Sequence, residues 1–467
     1  MLSLLARASI AALALAFAAP AQAQRFTQVT RPPNIVLILM DDLGYGDLGS
    51  YGVTDAKTPH IDRLAREGVK LTDFYANGPS CSPTRTAFLT GRYQQRYGIE
   101  WQLGSQPDDS ARGLLPSETS LPRLLKSAGY ATGLIGKWHL GRKPEFHPRR
   151  HGFDEFWGFL GGALDYYSHV DAVGRHDLFH NETAAHHSGY LTDEITARAA
   201  SFIDTHRSEP FFLEVAYNAT HWPFQPPGLA EDERARRGRL RDVEAANLEQ
   251  RVAILREGTR ADYVKMLESA DRGVGAILAT LDRLKLSRNT LVIFTSDNGG
   301  EWLSRSAPLF HRKFTLWEGG IRVPALIRWP ARVPAGIVSR EVGITMDITA
   351  TILSAAGATP PPSYRPEGMD LIPLLEGGRA VERTLFWRTQ AAGRLQRAVR
   401  RGRWKYLRDG GTRTGGGHEF LFDLATDVGE RRDLAATHAT MLAELRKLVA
   451  AWEAEVDSSR AALASSP

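Results

Sequence analysis

Asn34-Ile35-Val36-Leu37-Ile38-Leu39-Met40 runs apolar from Ile35 onward and stops abruptly at two acids, Asp41 and Asp42. A half-exposed strand alternates; one that is apolar throughout belongs inside a parallel sheet with helices on both faces. Phe211–Ala216 and Leu291–Phe294 repeat the pattern, and a shorter strand is expected over Ala131–Ile135. Between them Leu121, Leu124, Leu125 and Ala128 recur at helical spacing and stop at Gly129. Tyr263, Met266, Leu267, Ala270, Val274, Ile277, Leu278 and Leu281 mark a long amphipathic helix. This alternation predicts an α/β sandwich built on a large, mostly parallel sheet, with ligands bound beyond the carboxyl ends of its strands.

From about Leu385 the character changes. Trp404–Leu407 and Phe420–Leu424 predict a small antiparallel sheet, closed by a helix from about Thr440 to Glu455. A chain of 467 residues exceeds one usual core, so a large domain over 33–380, a C-terminal subdomain over 381–457 and a tail over 458–467 are expected. Met1–Ala23 carries Arg7, an apolar stretch and Ala21-Gln22-Ala23, the pattern of a signal peptide, which directs the chain to the periplasm or outside the cell. No later stretch approaches about 20 uninterrupted apolar residues, so no membrane span is expected. The formal charge of +5 favours anionic substrates without demanding nucleic acid. The basic runs Arg234–Arg241 and Arg394–Arg403 are expected to be solvated faces.

Cys81 is the single cysteine, so it forms no internal disulfide. Pro83 should rigidify a turn after it and Thr84–Thr90 reads as the first turns of a helix, placing Cys81 at the positive end with Arg85 four residues on. Two acid-bearing strand ends complete the pattern: Asp41 and Asp42 after the first strand, Asp297 and Asn298 after the Leu291 strand. Either pair alone also suits a solvated turn or a helix cap. Together they bring four hard oxygen-bearing side chains to one sheet edge, where a cation offsets the repulsion, and all-oxygen ligation points to calcium or magnesium rather than zinc.

Cys81-Ser82-Pro83-Thr84-Arg85 is similar to the C-x-P-x-R signature of the type I sulfatases of the alkaline phosphatase superfamily. Asp41-Asp42-x-Gly44-Tyr45-Gly46-Asp47-Leu48 and Ser296-Asp297-Asn298-Gly299 resemble that family's metal-binding segments, and Gly129–His139 its second signature. Phe146-His147-Pro148 followed by His151–Glu155 resembles the arylsulfatase and N-acetylgalactosamine-sulfatase group.

The resemblance implies that Cys81 is converted to formylglycine by a separate formylglycine-generating enzyme. The hydrated aldehyde then attacks the sulfur of a sulfate monoester, on a sulfated saccharide or aryl sulfate, and later expels sulfate. It implies metal ligation, usually of calcium with magnesium possible, by Asp41, Asp42, residue 81, Asp297 and Asn298. Asp297 would also assist deprotonation of the diol. Lys137, Lys313 and Arg85 would neutralise the sulfuryl oxygens, His139 would hydrogen-bond the formylglycine hydroxyl, and His221 would protonate the leaving alcohol. Residues 33–380 become the catalytic domain, and His169 a substrate-pocket candidate. His311-Arg312 departs from the family, which often carries glycine there, and Thr84 replaces the commoner serine. Two rival readings are a phosphate or phosphonate monoester hydrolase of the same superfamily and a non-catalytic relative that binds sulfated glycans.

Overall fold

The computed structural model describes residues 31–104, 112–117, 119–171, 174–238, 257–379, 381–391, 394–412 and 415–464. The signal peptide expected over 1–23 lies outside them. The chain forms an α/β sandwich on a ten-stranded sheet and a separate four-stranded antiparallel sheet. Across the large sheet the order is Ile337–Ser339, Val69–Leu71, Ala325–Arg328, Thr290–Ser296, Asn34–Met40, Phe211–Ala216, Ala131–Lys137, Glu155–Phe159, Phe179–His180 and Thr183–Ala184. The five strands from Thr290–Ser296 to Glu155–Phe159 are mutually parallel.

The apolar first strand explains its central place. Ile35, Leu37 and Leu39 pack on one face with Leu121, Leu125 and Ile352. Val36, Ile38 and Met40 pack on the other with Ile195, Met266 and Val274. The long helix on that second face, Arg260–Arg283, starts in a capping box in which Thr259 and Asp262 each bind the other's backbone.

The strand expected to end at Ile135 continues through Lys137. Gly136 permits this: at φ 117° it lies where a Cβ would meet the Ala216 carbonyl at 2.0 Å, and it pairs with Ala216 and Gly158 on its two sides. The extension carries Lys137 to the carboxyl edge of the sheet.

The four-stranded sheet comprises Thr384–Ala391, Arg394–Arg401, Trp404–Asp409 and His418–Asp423, covered by the Ala439–Ala464 helix through Leu445, Val449, Trp452 and Val456. That helix runs beyond Glu455 because Val456–Ala464 contains neither proline nor glycine to stop it. The basic run Arg394–Arg403 is only in part the solvated face expected of it, with Arg394 and Arg403 exposed. Arg397 and Arg400 are buried, Arg397 paired with Glu453 and Arg400 with Asp73. Arg234 in the other run lies over the Tyr167 ring at 3.9 Å and donates to the Leu229 carbonyl. Lys405, fully buried, joins Glu318 to Glu430 at 2.9 and 2.7 Å and so ties the Glu318–Ile321 turn to the second sheet. Among the described residues, no helix is long and apolar enough to cross a membrane.

Candidate active site

Four adjacent parallel strands deliver their carboxyl ends to one place. In spatial order they lead into Asp297 and Asn298, Asp41 and Asp42, His221, and Lys137 with His139. The Cys81–Thr90 helix adds Cys81 at its first position, earlier than the expected start at Thr84, and Arg85 one turn in. The loop before Glu318 adds Lys313. All ten side chains are buried, and Asp42 and His139 are both held at φ 60°, a conformation uncommon for side-chain-bearing residues.

Cys81 Sγ lies 3.4 Å from Asp41 Oδ1 and 3.4 Å from Lys137 Nζ. Lys137 Nζ also donates to Asp41 Oδ2 at 2.5 Å, and Lys313 Nζ pairs with Asp42 at 2.7 Å. Asn298 Nδ2 donates to Asp42 Oδ1 at 2.7 Å, while its Oδ1 is buried without a hydrogen-bond partner among the described residues. His221 Nδ1 faces the Trp222 carbonyl at 2.6 Å and so carries the proton there, which turns Nε2 towards Asp42 Oδ2 at 3.6 Å. His139 Nε2 likewise meets the Leu103 carbonyl at 2.9 Å, leaving a buried Nδ1 lone pair unpartnered.

Arg85, expected to neutralise the sulfuryl oxygens, is bound here by groups of the chain itself. Nε and Nη2 bind Asp297 Oδ2 at 3.1 and 2.9 Å and Nη1 binds the Lys137 carbonyl at 3.0 Å. Its guanidinium is thus directed at holding Asp297, whose Oδ1 faces the Asp42 amide at 3.5 Å. His221, expected to bind sulfate and act as the acid, joins a potential metal cluster: ligand atoms of Asp41, Asp42, Cys81 and His221 lie within 4.8 Å of one another.

Burial raises both adjacent acids, and the unequal pull of the neighbouring cations splits them. Burial raises Asp41 against the pull of Lys137, and Asp297 adds to the rise. For Asp42 burial acts upward too, but Lys313, His221 and Lys137 more than reverse it and hold it low. Burial, Asp297 and Asp41 push the Cys81 thiol well above its ordinary value, so an unmodified Cys81 is a neutral thiol and a poor nucleophile. The donor set fits a hard divalent cation: the buried Asp41 and Asp42 carboxylates cluster with His221 and residue 81, the unpartnered Asn298 Oδ1 belongs to the amide bound to Asp42, and Asp297, outside that cluster, has its Oδ2 on Arg85.

Sequence reasoning missed Glu301 and Glu214. Glu301 Oε2 lies 3.8 Å from Lys313 Nζ and accepts from Trp222 Nε1 at 3.1 Å. Glu214 stands inside the buried Phe211–Ala216 strand, with Oε2 unpartnered among the described residues and its carboxyl raised by burial to about 8, against the pull of Arg85. An acid amid Phe211, Phe212, Leu213, Val215 and Ala216 was the signal available. His169 is buried in the turn closed by Asp165, with its Nε2 also unpartnered.

Glu214→Gln is expected to raise the melting temperature at pH 8 by several degrees more than at pH 5. The carboxyl titrates near 4.5 in its ordinary state and near 8 here, so between those values the folded chain keeps a proton the unfolded chain has lost. Stability therefore falls as pH rises through that window, by up to about 1.4 kcal/mol per pH unit, and glutamine removes the slope. Thermal unfolding at the two pH values checks this; equal shifts would mean that Arg85 keeps the carboxyl ionised.

Residues 33–358 match the sequence family described as Sulfatase. The N-acetylgalactosamine-6-sulfatase of Sus scrofa is 36% identical over 473 residues, covering 90% of this chain and 85% of that protein. The steryl-sulfatase of Mus musculus is 36% identical over 74% of this chain and 65% of its own length. Among solved structures, Ps i-CgsB in complex with k-i-k-neocarrahexaose superposes with a TM-score of 0.78 at 30% identity, covering 90% of this chain and 93% of that one.

Proposed function

The chain belongs to the sulfatase family and is a sulfuric ester hydrolase; from that premise we propose that it removes sulfate from sulfated saccharides, N-acetylgalactosamine sulfates among them, using a formylglycine made from Cys81 and a calcium ion. The observation that carries this reading is the setting of Cys81: a fully buried residue at a helix N-terminus, 3.4 Å from both an acid and a lysine, whose own thiol is disabled by burial. The name of the N-acetylgalactosamine-6-sulfatase of Sus scrofa and the k-i-k-neocarrahexaose complex of Ps i-CgsB support a sugar substrate.

Asp41, Asp42, Asp297 and Asn298 would hold the cation, the last through its orphaned Oδ1. With both groups in place, formylglycine supplies a nucleophilic hydroxyl and the cation a Lewis acid for a sulfate oxygen. Asp297 takes the proton of the attacking hydroxyl. Lys137 and Lys313, buried in a water-poor site, offset charge on the sulfuryl oxygens, where fixed donors act most strongly. The unpartnered His139 Nδ1 is an acceptor suited to a hydroxyl at position 81. In its doubly protonated form His221 would pass the Nε2 proton to the departing alkoxide while its Nδ1–H stays on the Trp222 carbonyl. Arg85 is a positioning residue that fixes Asp297. Met1–Ala23 supports export before any of this chemistry takes place.

Protein co-expressed with a formylglycine-generating enzyme, assayed for sulfate release from 4- and 6-sulfated N-acetylgalactosamine saccharides beside an aryl sulfate and an aryl phosphate, tests the reading. Sugar sulfates should be cleaved, EDTA should stop turnover, and Ca2+ should restore it better than Mg2+. Preference for aryl phosphate would overturn the sulfatase chemistry, and cleavage of aryl sulfate alone would overturn the saccharide assignment.

A further inference from the structure

We propose that Trp302 and Arg312 form a second binding site beside the sulfate pocket, one that takes the neighbouring sugar of the substrate and an anionic group on it. The proposal rests on the saccharide-sulfatase reading above and specifies its substrate as an oligosaccharide with anions on adjacent residues.

Trp302 is 59% exposed, a large apolar side chain left in water. The exposed Arg312 guanidinium lies over its ring, 4.9 Å from the centroid. Both residues are anchored one position from the site. The Lys313 amide donates to the Gly300 carbonyl at 3.0 Å, holding the two segments side by side. Buried Lys313 follows Arg312, and buried Glu301 precedes Trp302. Glu301 in turn is bound by the indole next to His221. The pair is therefore the outward continuation of the segments that present Lys313 and Glu301 inward.

Arg312 differs from three other arginines, Arg305, Arg322 and Arg394. Arg305 pairs with Asp55, Arg322 with Asp73 and Glu318, and Arg394 with Asp409. Arg312 has no carboxylate partner among the described residues; its contact is the Trp302 face. An arginine stacked on an aromatic ring keeps its planar fork pre-oriented while its outer N–H groups remain available for a carboxylate or a sulfate. The open indole supplies a flat apolar surface of the kind that packs against the C–H face of a pyranose. A site of this composition recognises a ring and an anion together. The anion is either a uronate carboxylate or a second sulfate.

The test uses matured enzyme and four substrates: an aryl sulfate, a 6-sulfated N-acetylgalactosamine joined to a uronate, the same disaccharide with its carboxylate reduced to an alcohol, and one whose neighbouring sugar carries sulfate instead. Trp302→Ala should lower kcat/KM on every disaccharide by about tenfold, chiefly through KM, and leave aryl sulfate within about twofold. Arg312→Gln should cost about tenfold only where the neighbouring anion is present, and the larger loss of the uronate and sulfate pair identifies the preferred one. Calorimetric binding of the same disaccharides to Cys81→Ala protein should show the same losses without needing turnover. Equal losses on aryl sulfate and disaccharide, or disaccharide binding unmoved by both substitutions, would overturn the second site. Absence of Cys81-dependent sulfate release from all substrates would instead overturn the sulfatase reading, with the binding arm still deciding on Trp302 and Arg312.

Discussion

Cys81→Ala is expected to reduce sulfate release by about 10^4-fold or more while leaving the fold intact. The side chain is fully buried but small, and its polar contacts are those with Asp41 and Lys137, groups that also hold each other. Truncation therefore removes the reacting atom without breaking a buried pair, and the melting temperature should move little. The complementary measurement is the mass of the tryptic peptide Leu71–Arg85 from wild-type protein. Active preparations should contain formylglycine at position 81, in proportion to their specific activity. Preparations made without the maturation enzyme should contain cysteine and be inactive, because burial together with Asp297 and Asp41 keeps that thiol protonated. Full activity in a preparation whose peptide carries only unmodified cysteine would sink the assignment.

The site was legible in the sequence because a strand buried on both faces is apolar along its whole length. Its first charged residues then mark the carboxyl end, as Asp41 and Asp297 do. Lys137 was legible only through its motif, since the strand's extension depends on Gly136 tolerating a backbone approach that local pattern does not reveal. What stayed hidden was pairing across long stretches of chain. Arg85 finds Asp297 at a separation of 212 residues, and Arg400 finds Asp73 at 327. A basic run such as Arg394–Arg403 looks solvated until those partners arrive. Glu214 was hidden for the opposite reason: six buried positions in a row define the strand, and one carboxyl among them does not change its period.

Arg85→Met is expected to cost about 3–5 kcal/mol of stability in EDTA, the usual consequence of leaving one member of a buried ion pair uncompensated. Both side chains are essentially unexposed, at 1% and 0%, and Arg85 is the cation set against Asp297 where Asp41 and Asp42 crowd the same space. Asp297→Asn alone should also destabilise, since it leaves a buried guanidinium facing a neutral amide. The double variant should recover most of the lost stability, because it removes both charges at once. Activity should not recover in any of the three, since Asp297, whose Oδ1 faces the amide of the cluster residue Asp42, is the proposed proton acceptor and is either lost or no longer held by Arg85. Stability and activity thus part company in the double variant: stability follows the charge balance of the Arg85–Asp297 pair, activity the presence of Asp297 itself. A double variant as unstable as the singles would locate the contribution of Arg85 in its bond to the Lys137 carbonyl instead. Saturating Ca2+ should narrow the loss in Arg85→Met, because a bound cation supplies the positive charge that the methionine removed, and it should do less for the double variant, which has lost a ligand.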